Sequence, residues 1–354
     1  MAIYLIQLIT IILLTLFLNK TKLLKSNKIK ENILFVSTFF VLALPMVFRG
    51  VNVGGDLPQY YNSFKIIGES SWDFSNVRFE KGYCAFVKVL YTIFKNPRSL
   101  IITTALIINL SFLLFIKKYS KNIGLTSILY VVTNIFFFYT SAIRQGMALS
   151  LILLGLCVLN KNKKYTIPIY YLISFIAITF HTVALIGLFI PLLIFIKPNF
   201  KIVTALSIIG VICFIFCEQL FDILTGLVGK YSEYKNSQFD KSNYFGSLLL
   251  FLEMFIIFLT IAIECRKKEE YFNQWLLPSV GYLTSMALVM RMSMFNRIST
   301  MLSIFFIVWT TNMLEQCKYK KIYTFGIVFF LSISMIVIQV YRPNWYGVTP
   351  FSFY

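Results

Sequence analysis

Apolar runs of about 17 to 23 residues recur along the chain, each closed by a short polar connector, and a run of that length crosses a hydrocarbon core as one helix. Read this way the sequence predicts spans near 2–18, 33–48, 99–116, 124–141, 145–159, 165–181, 182–196, 202–224, 246–263, 275–290, 298–314 and 322–340. The junction of the sixth and seventh, Phe180-His181-Thr182, offers little polar turn. It leaves open a single long or broken helix with a re-entrant piece. Gly82 to Phe94 is shorter, amphipathic and carries Lys88, which predicts an interfacial helix. The expected fold is all-α, a polytopic membrane helical bundle of about 12 transmembrane helices. It forms a single integral membrane domain over 1–354, with external loops at 49–98 and 225–245. Ala2 to Leu18 lacks a preceding basic region and a small-residue cleavage site, so it reads as a retained helix.

The connectors set the orientation. Lys20, Lys22, Lys25, Lys28 and Lys30 lie in the first, and Lys117, Lys118 and Lys121 after the third span. Lys161, Lys163 and Lys164 follow the fifth, Lys197 and Lys201 the seventh, Arg266 to Lys268 the ninth, and Lys318, Lys320 and Lys321 the eleventh. Every second connector is basic, and positive loops stay in the cytoplasm. Both termini then fall outside. Arginine runs against this bias: Arg49, Arg78, Arg98, Arg144, Arg291, Arg297 and Arg342 all fall at the external face, and only Arg266 is cytoplasmic. Charge alone fixes topology, and lysine supplies it. The planar guanidinium fork suits phosphate and carboxylate, so an arginine-rich external face points to an anionic ligand. The plainer alternative pairs some of these arginines with Asp56, Glu69, Asp73 or Glu80, or lets them snorkel.

Composition agrees and removes other classes. Apolar residues make up 58% of the 354 and charged residues 13%, against about 25% in a soluble domain. The net charge of +19 sits in connectors between spans, which is an orientation signal and not a nucleic-acid surface. A barrel would show short alternating segments. The six cysteines are scattered without a CxxC, so neither a disulfide framework nor a metal site is indicated. No P-loop, dinucleotide fingerprint, zincin helix or GxSxG elbow is present.

Four places carry candidate chemistry. Arg49 to Tyr61 joins an arginine, the Gly54-Gly55 pair, Asp56 and Tyr60 where the chain has just left the bilayer. The glycines allow a tight turn, and a carboxylate there needs a partner or a task. Arg78-Phe79-Glu80-Lys81-Gly82-Tyr83 is a second polar cluster, either a salt-bridged loop or a base beside a sugar hydroxyl. Ser141-Ala142-Ile143-Arg144-Gln145-Gly146 interrupts an apolar stretch, and a helix starting near Ser141 puts Arg144 in its first turn. There free N–H groups add to anion attraction. His181 is the only histidine, at the outer end of a span, a structural residue or a proton carrier. Weaker signals are Tyr231 and Tyr234 in the 225–245 loop, as sugar-stacking faces or interfacial aromatics, and Arg291 and Arg297 between the tenth and eleventh spans.

With these residues in hand the chain resembles the EpsG-like family of bacterial polysaccharide polymerases, the Wzy-type enzymes. The resemblance covers nearly the whole chain and lies in an ordered set of short motifs. These are Arg49 with Gly55-Asp56 and Tyr60; Glu80-Lys81-Gly82-Tyr83; Ile143-Arg144-Gln145; Phe180-His181-Thr182 with Ala184-Leu185; Lys230-Tyr231 with Tyr234; and Arg297. Gly-Gly-Asp at 54–56 stands where many members carry Gly-Thr-Asp. The resemblance implies an enzyme that joins oligosaccharide repeats carried on undecaprenyl diphosphate, at the outer face of the bacterial cytoplasmic membrane. The product would be O-antigen, capsule or exopolysaccharide. It further implies Arg49, Arg144 and Arg297, with Arg291, as diphosphate ligands, and Asp56, Glu80 or His181 as the catalytic base or acceptor-orienting group. Arg78, Gln145, Tyr60, Tyr231 and Tyr234 would bind substrate. No cofactor or metal is expected, because fixed cations can hold the leaving diphosphate. The implied partners are the lipid-linked oligosaccharide and membrane lipids, with a chain-length regulator and a flippase beside them. The rival readings are a transporter or flippase of lipid-linked sugars and another lipid-linked glycosyltransferase or ligase.

Overall fold

The computed structural model describes residues 1–21, 26–228, 244–265 and 269–354, and among these the regular elements are all helices. The chain forms two compact units, Met1–Leu188 with Phe325–Tyr354, and Phe189–Thr324. In the first lie α1 (Ala2–Lys20), α2 (Asn27–Phe48), α3 (Leu57–Glu69), α4 (Lys81–Phe94), α5 (Arg98–Tyr119), α6 (Ile123–Val132), α7 (Ile135–Ser141), α8 (Ile143–Val158), α9 (Thr166–Phe180) and a 3-10 turn, Thr182–Leu188. The second holds α10 (Ile190–Phe195), α11 (Phe200–Ile215), α12 (Cys217–Val228), α13 (Tyr244–Cys265), α14 (Leu276–Arg291) and α15 (Asn296–Leu314). The last helix, α16 (Lys320–Tyr341), begins in the second unit and continues in the first.

Among the described residues, six helices are long and apolar enough to cross a membrane: α1, α2, α5, α13, α15 with the turn before it, and α16. Two more apolar stretches are bent, α6–α7 by 65° and α11–α12 by 86°. The remaining apolar segments, Ile143–Val158, Thr166–Phe180, Thr182–Phe195 and Leu276–Val289, are shorter than a full span. All the predicted apolar segments are thus present, and among the described residues six are candidate spans by length and composition, or eight if each bent pair counts as one. This is a multi-pass membrane protein, and the exposed face of α1 (Ile6, Ile9, Leu13, Phe17) is apolar as a lipid-facing helix requires.

In the first unit, local chemistry explains the breaks. The α6–α7 bend falls at Thr133-Asn134, where Asn134 takes a left-handed φ of 63°, a conformation asparagine tolerates better than most residues. Gln339 Nε2 of α16 donates to Asn134 Oδ1 at 2.9 Å and holds that break inside the core. The junction left open by the sequence is a reversal and not one long helix. His181 is extended, and the 3-10 turn folds back along α9, with Tyr170 Oη donating to Gly187 O at 2.5 Å. The predicted interfacial helix is α4; beside it stands α3, which the sequence reading left as loop. Their apolar faces share one core of Leu57, Tyr60, Phe64, Ile67, Tyr83, Val87 and Leu90.

Contacts also show which helix ends belong together. Lys117 Nζ donates to Asn32 Oδ1 at 2.8 Å and Lys118 Nζ to Cys157 O at 2.6 Å, so the lysine-bearing ends of α2, α5 and α8 meet. At the opposite end Arg98 donates to the carbonyls of Val47 and Arg49. The second unit repeats the pattern: Lys318 N donates to Glu264 Oε1 at one end, and Arg291 pairs with Glu218 at the other.

Candidate functional site

The arginine end of the first unit collects most of the residues expected to carry chemistry. Its floor is a knot of backbone. The loop after α2 is pinned by the C-terminal tail: Gly50 N donates to Ser352 O at 2.8 Å, Gly54 N to Gly347 O at 2.7 Å, Gly55 N to Tyr346 O at 2.9 Å, and Tyr354 N to Phe48 O at 3.0 Å. Two glycines make this approach possible. Gly54 has φ +120° and Gly347 φ +63°, and a Cβ on Gly347 would stand 2.7 Å from Gly55 N. The loop reaches the α7–α8 break as well, because Asp56 N donates to Ser141 Oγ at 3.3 Å.

Above this floor Arg144 and Glu80 form an ion pair through Nη1 and Oε2, with side-chain exposures of 20% and 9%. Arg144 starts α8 and Glu80 immediately precedes α4, so the pair is set by the ends of two helices. Arg144 Nε also donates to Tyr60 Oη at 3.2 Å. Its guanidinium lies over three rings, 4.8 Å from Phe79, 5.4 Å from Tyr60 and 5.9 Å from Tyr83. These rings contact one another at centroid distances of 5.6 to 5.9 Å, a cage that favours a cation. Burial pushes the Tyr60 phenol up to about 12, Arg144 drawing it partly back, and raises Tyr83 well above the ordinary tyrosine value. Both phenols therefore stay protonated at neutral pH. Tyr83 Oη is buried without a hydrogen-bond partner.

Gly82 sets the cage against α9: a Cβ there would lie 2.0 Å from Thr179 Oγ1. The C-terminal end of α9 joins the same cluster through Phe180, which packs on the aromatic core. His181 follows it, buried, with Nδ1 accepting from Val183 N at 3.2 Å.

The other expected site residues divide. Asp56 and Arg78 are exposed, and Gln145 is buried next to Arg144. Arg49, expected among the diphosphate ligands, is fully buried, donating Nη1 to the Thr140 carbonyl, while Nε and Nη2 have no partner. It sits against the end of α7, where helix carbonyls lack intrahelical donors. Tyr60, expected to bind substrate, lies under Arg144. Arg291 and Arg297 belong to the second unit, Arg291 paired with Glu218 at 3.2 Å and Arg297 in the first turn of α15. Tyr231 and Tyr234 lie outside the described residues.

Sequence reasoning missed Arg98, Phe79 and Tyr83 as individual contributors. Tyr83 stands three residues from Glu80, one helical turn on, and that spacing was the available signal. Arg98 gave none, because its acceptors are backbone carbonyls. Among curated proteins and solved structures, none matches the chain. The family model described as EpsG matches residues 32–353, nearly the whole chain. The protein therefore belongs to the EpsG family, the polymerase-like membrane proteins of polysaccharide biosynthesis.

Proposed function

We propose that this protein is a polysaccharide polymerase that moves a growing glycan from undecaprenyl diphosphate to a hydroxyl of the next lipid-linked repeat unit, at the outer face of a bacterial cytoplasmic membrane. The observation that carries the reading is the contact of Arg144 with Glu80 at the start of α8, at the end of the unit away from the lysine connectors Lys117, Lys118 and Lys163. In the reaction the bond from the anomeric carbon to the diphosphate oxygen breaks, and the lipid diphosphate leaves with the electron pair. Arg144 meets the charge that develops there. The new bond forms to the acceptor oxygen, whose proton passes to a carboxylate within hydrogen-bond reach. Glu80 is that base, and Asp56, exposed at the start of α3, orients the acceptor.

One observation favours the transport alternative. Glu253 is a buried carboxylate near the middle of α13, and ionisable groups at membrane depth often mark a pathway. A single assay separates the two. Purified protein given only the lipid-linked repeat unit is expected to produce a ladder of glycan lengths on a gel. A single added unit would instead indicate a transferase or ligase. No product, with lipid-linked sugar crossing proteoliposome membranes, would replace the polymerase by a transporter.

A further inference from the structure

Glu80 and an incoming phosphate compete for the same cation. Arg144 is held from three sides by rings and by Tyr60 Oη, and its Nη1 is taken by Glu80. A guanidinium fork binds phosphate oxygens in the manner it binds carboxylate, and a diphosphate brings more negative charge than one carboxylate. The two partners of the pair stand on different kinds of backbone. Arg144 is fixed within α8 by the cage, whereas Glu80 is the extended residue just before α4, with φ −63° and ψ 142°. Its side chain can turn away without unwinding a helix.

We infer that Glu80 is an internal competitor of the anion at Arg144, displaced when a lipid diphosphate binds and thereby released to act as base. This rests on the reading of Arg144 as the diphosphate ligand. The chemistry gives the exchange a purpose. A carboxylate held against a guanidinium is a weaker base than one left beside an anion. The base is therefore quiet in the empty enzyme and active once the donor is seated, which limits wasteful hydrolysis. The cage supplies what the exchange needs, a cation that stays in place while its counter-ion changes.

The test uses the full-length protein in detergent and inorganic pyrophosphate as probe, with affinity measured by calorimetry. Glu80→Gln keeps the shape of the side chain and removes its charge. It is expected to bind pyrophosphate about tenfold more tightly than the wild type, the scale of one close charge pair. Arg144→Ala is expected to bind weakly, and adding Glu80→Gln to it should change nothing further, as a coupled pair requires. Equal or weaker binding by Glu80→Gln overturns the competition. So does an equal tightening in the Arg144→Ala background, which would show a general charge effect. If Glu80→Gln does not accumulate, Glu80→Asp, whose shorter arm reaches Arg144 less well, is expected to tighten binding by a smaller factor. A wild type that binds pyrophosphate in this pattern yet yields no ladder would remove the polymerase reading and leave the competition standing.

Discussion

In the first unit the arginines gather at one end of the helices and the connector lysines at the other, and single residues show why. Helix carbonyls in the last turn have no intrahelical donor, and at a membrane edge each needs one. Arg98 donates to Val47 and Arg49 just where α2 ends, and Arg49 donates to Thr140 near the end of α7. A planar fork can span two carbonyls, which a lysine ammonium does less well. Arg144 differs, because it meets a carboxylate and a phenol in a cage that retains some exposure. Substitutions should separate the two kinds. Arg98→Ala is expected to destabilise the protein by about 2–4 kcal/mol, since buried carbonyls lose their donor. This would be seen as a lower melting temperature in detergent. Arg144→Lys keeps the charge against Glu80 and loses the fork, so melting should stay close to wild type. Its polymerising rate is expected to fall about a hundredfold, the scale of one missing donor at a developing oxyanion. Equal melting losses in both variants would end this division of roles.

At the scale of elements, the α3–α4 pair and the tail give the site its shape. Gly347→Ala adds a Cβ where φ is +63° and Gly55 N would be 2.7 Å away, so the tail must lift from the loop. Amide exchange at Gly54 and Gly55, protected by Gly347 and Tyr346 carbonyls, is then expected to quicken, with polymer yield falling alongside. Unchanged exchange at both amides would show that the tail does not secure the loop. Legibility in the sequence followed the range of each signal. The apolar segments and the polar clusters at Arg49, Glu80 and Arg144 are local and were visible. Helix α3 carried Leu57, Tyr60, Phe64 and Ile67 at helical spacing with Pro58 in its first turn, but the conspicuous Gly-Gly-Asp beside it drew the segment into a loop. The tail, Arg342 to Tyr354, reads as interfacial from its prolines and aromatics, but its docking on the loop is not legible. Its bonds to Gly50, Gly54 and Gly55 are backbone to backbone, and the glycines that allow the approach do not say which segment they will meet. The cage was hidden for a related reason: its rings come from α3, α4 and the loop between them, and only folding brings them under Arg144.

Across the whole molecule, the charge of the connectors and the contacts between helix ends sort the same ends together. Positive connectors assign the lysine ends to the cytoplasm, and within each unit helix ends of one kind meet their own kind. Lys117 meets Asn32 and Lys118 the end of α8, while Asp56 reaches Ser141 and Glu80 reaches Arg144. Asp56, Glu80 and Arg144 are thus expected on one side of the membrane whichever way the protein is inserted. The charge rule predicts that this side is the outer one, where lipid-linked repeats would meet. Single cysteines in a background lacking the native six test both steps. Asp56→Cys and Arg78→Cys, at exposed positions, are expected to react with a membrane-impermeant maleimide on intact spheroplasts. Lys163→Cys, exposed in the connector after α8, and Lys201→Cys, exposed at the start of α11, should react only after the membrane is opened. Labelling of Lys163→Cys in intact cells with Asp56→Cys protected would invert the protein and move the proposed reaction to the cytoplasm. Labelling of both from one side would break the helix-end pairing itself, and with it the placing of Glu80 and Arg144 away from the lysine connectors.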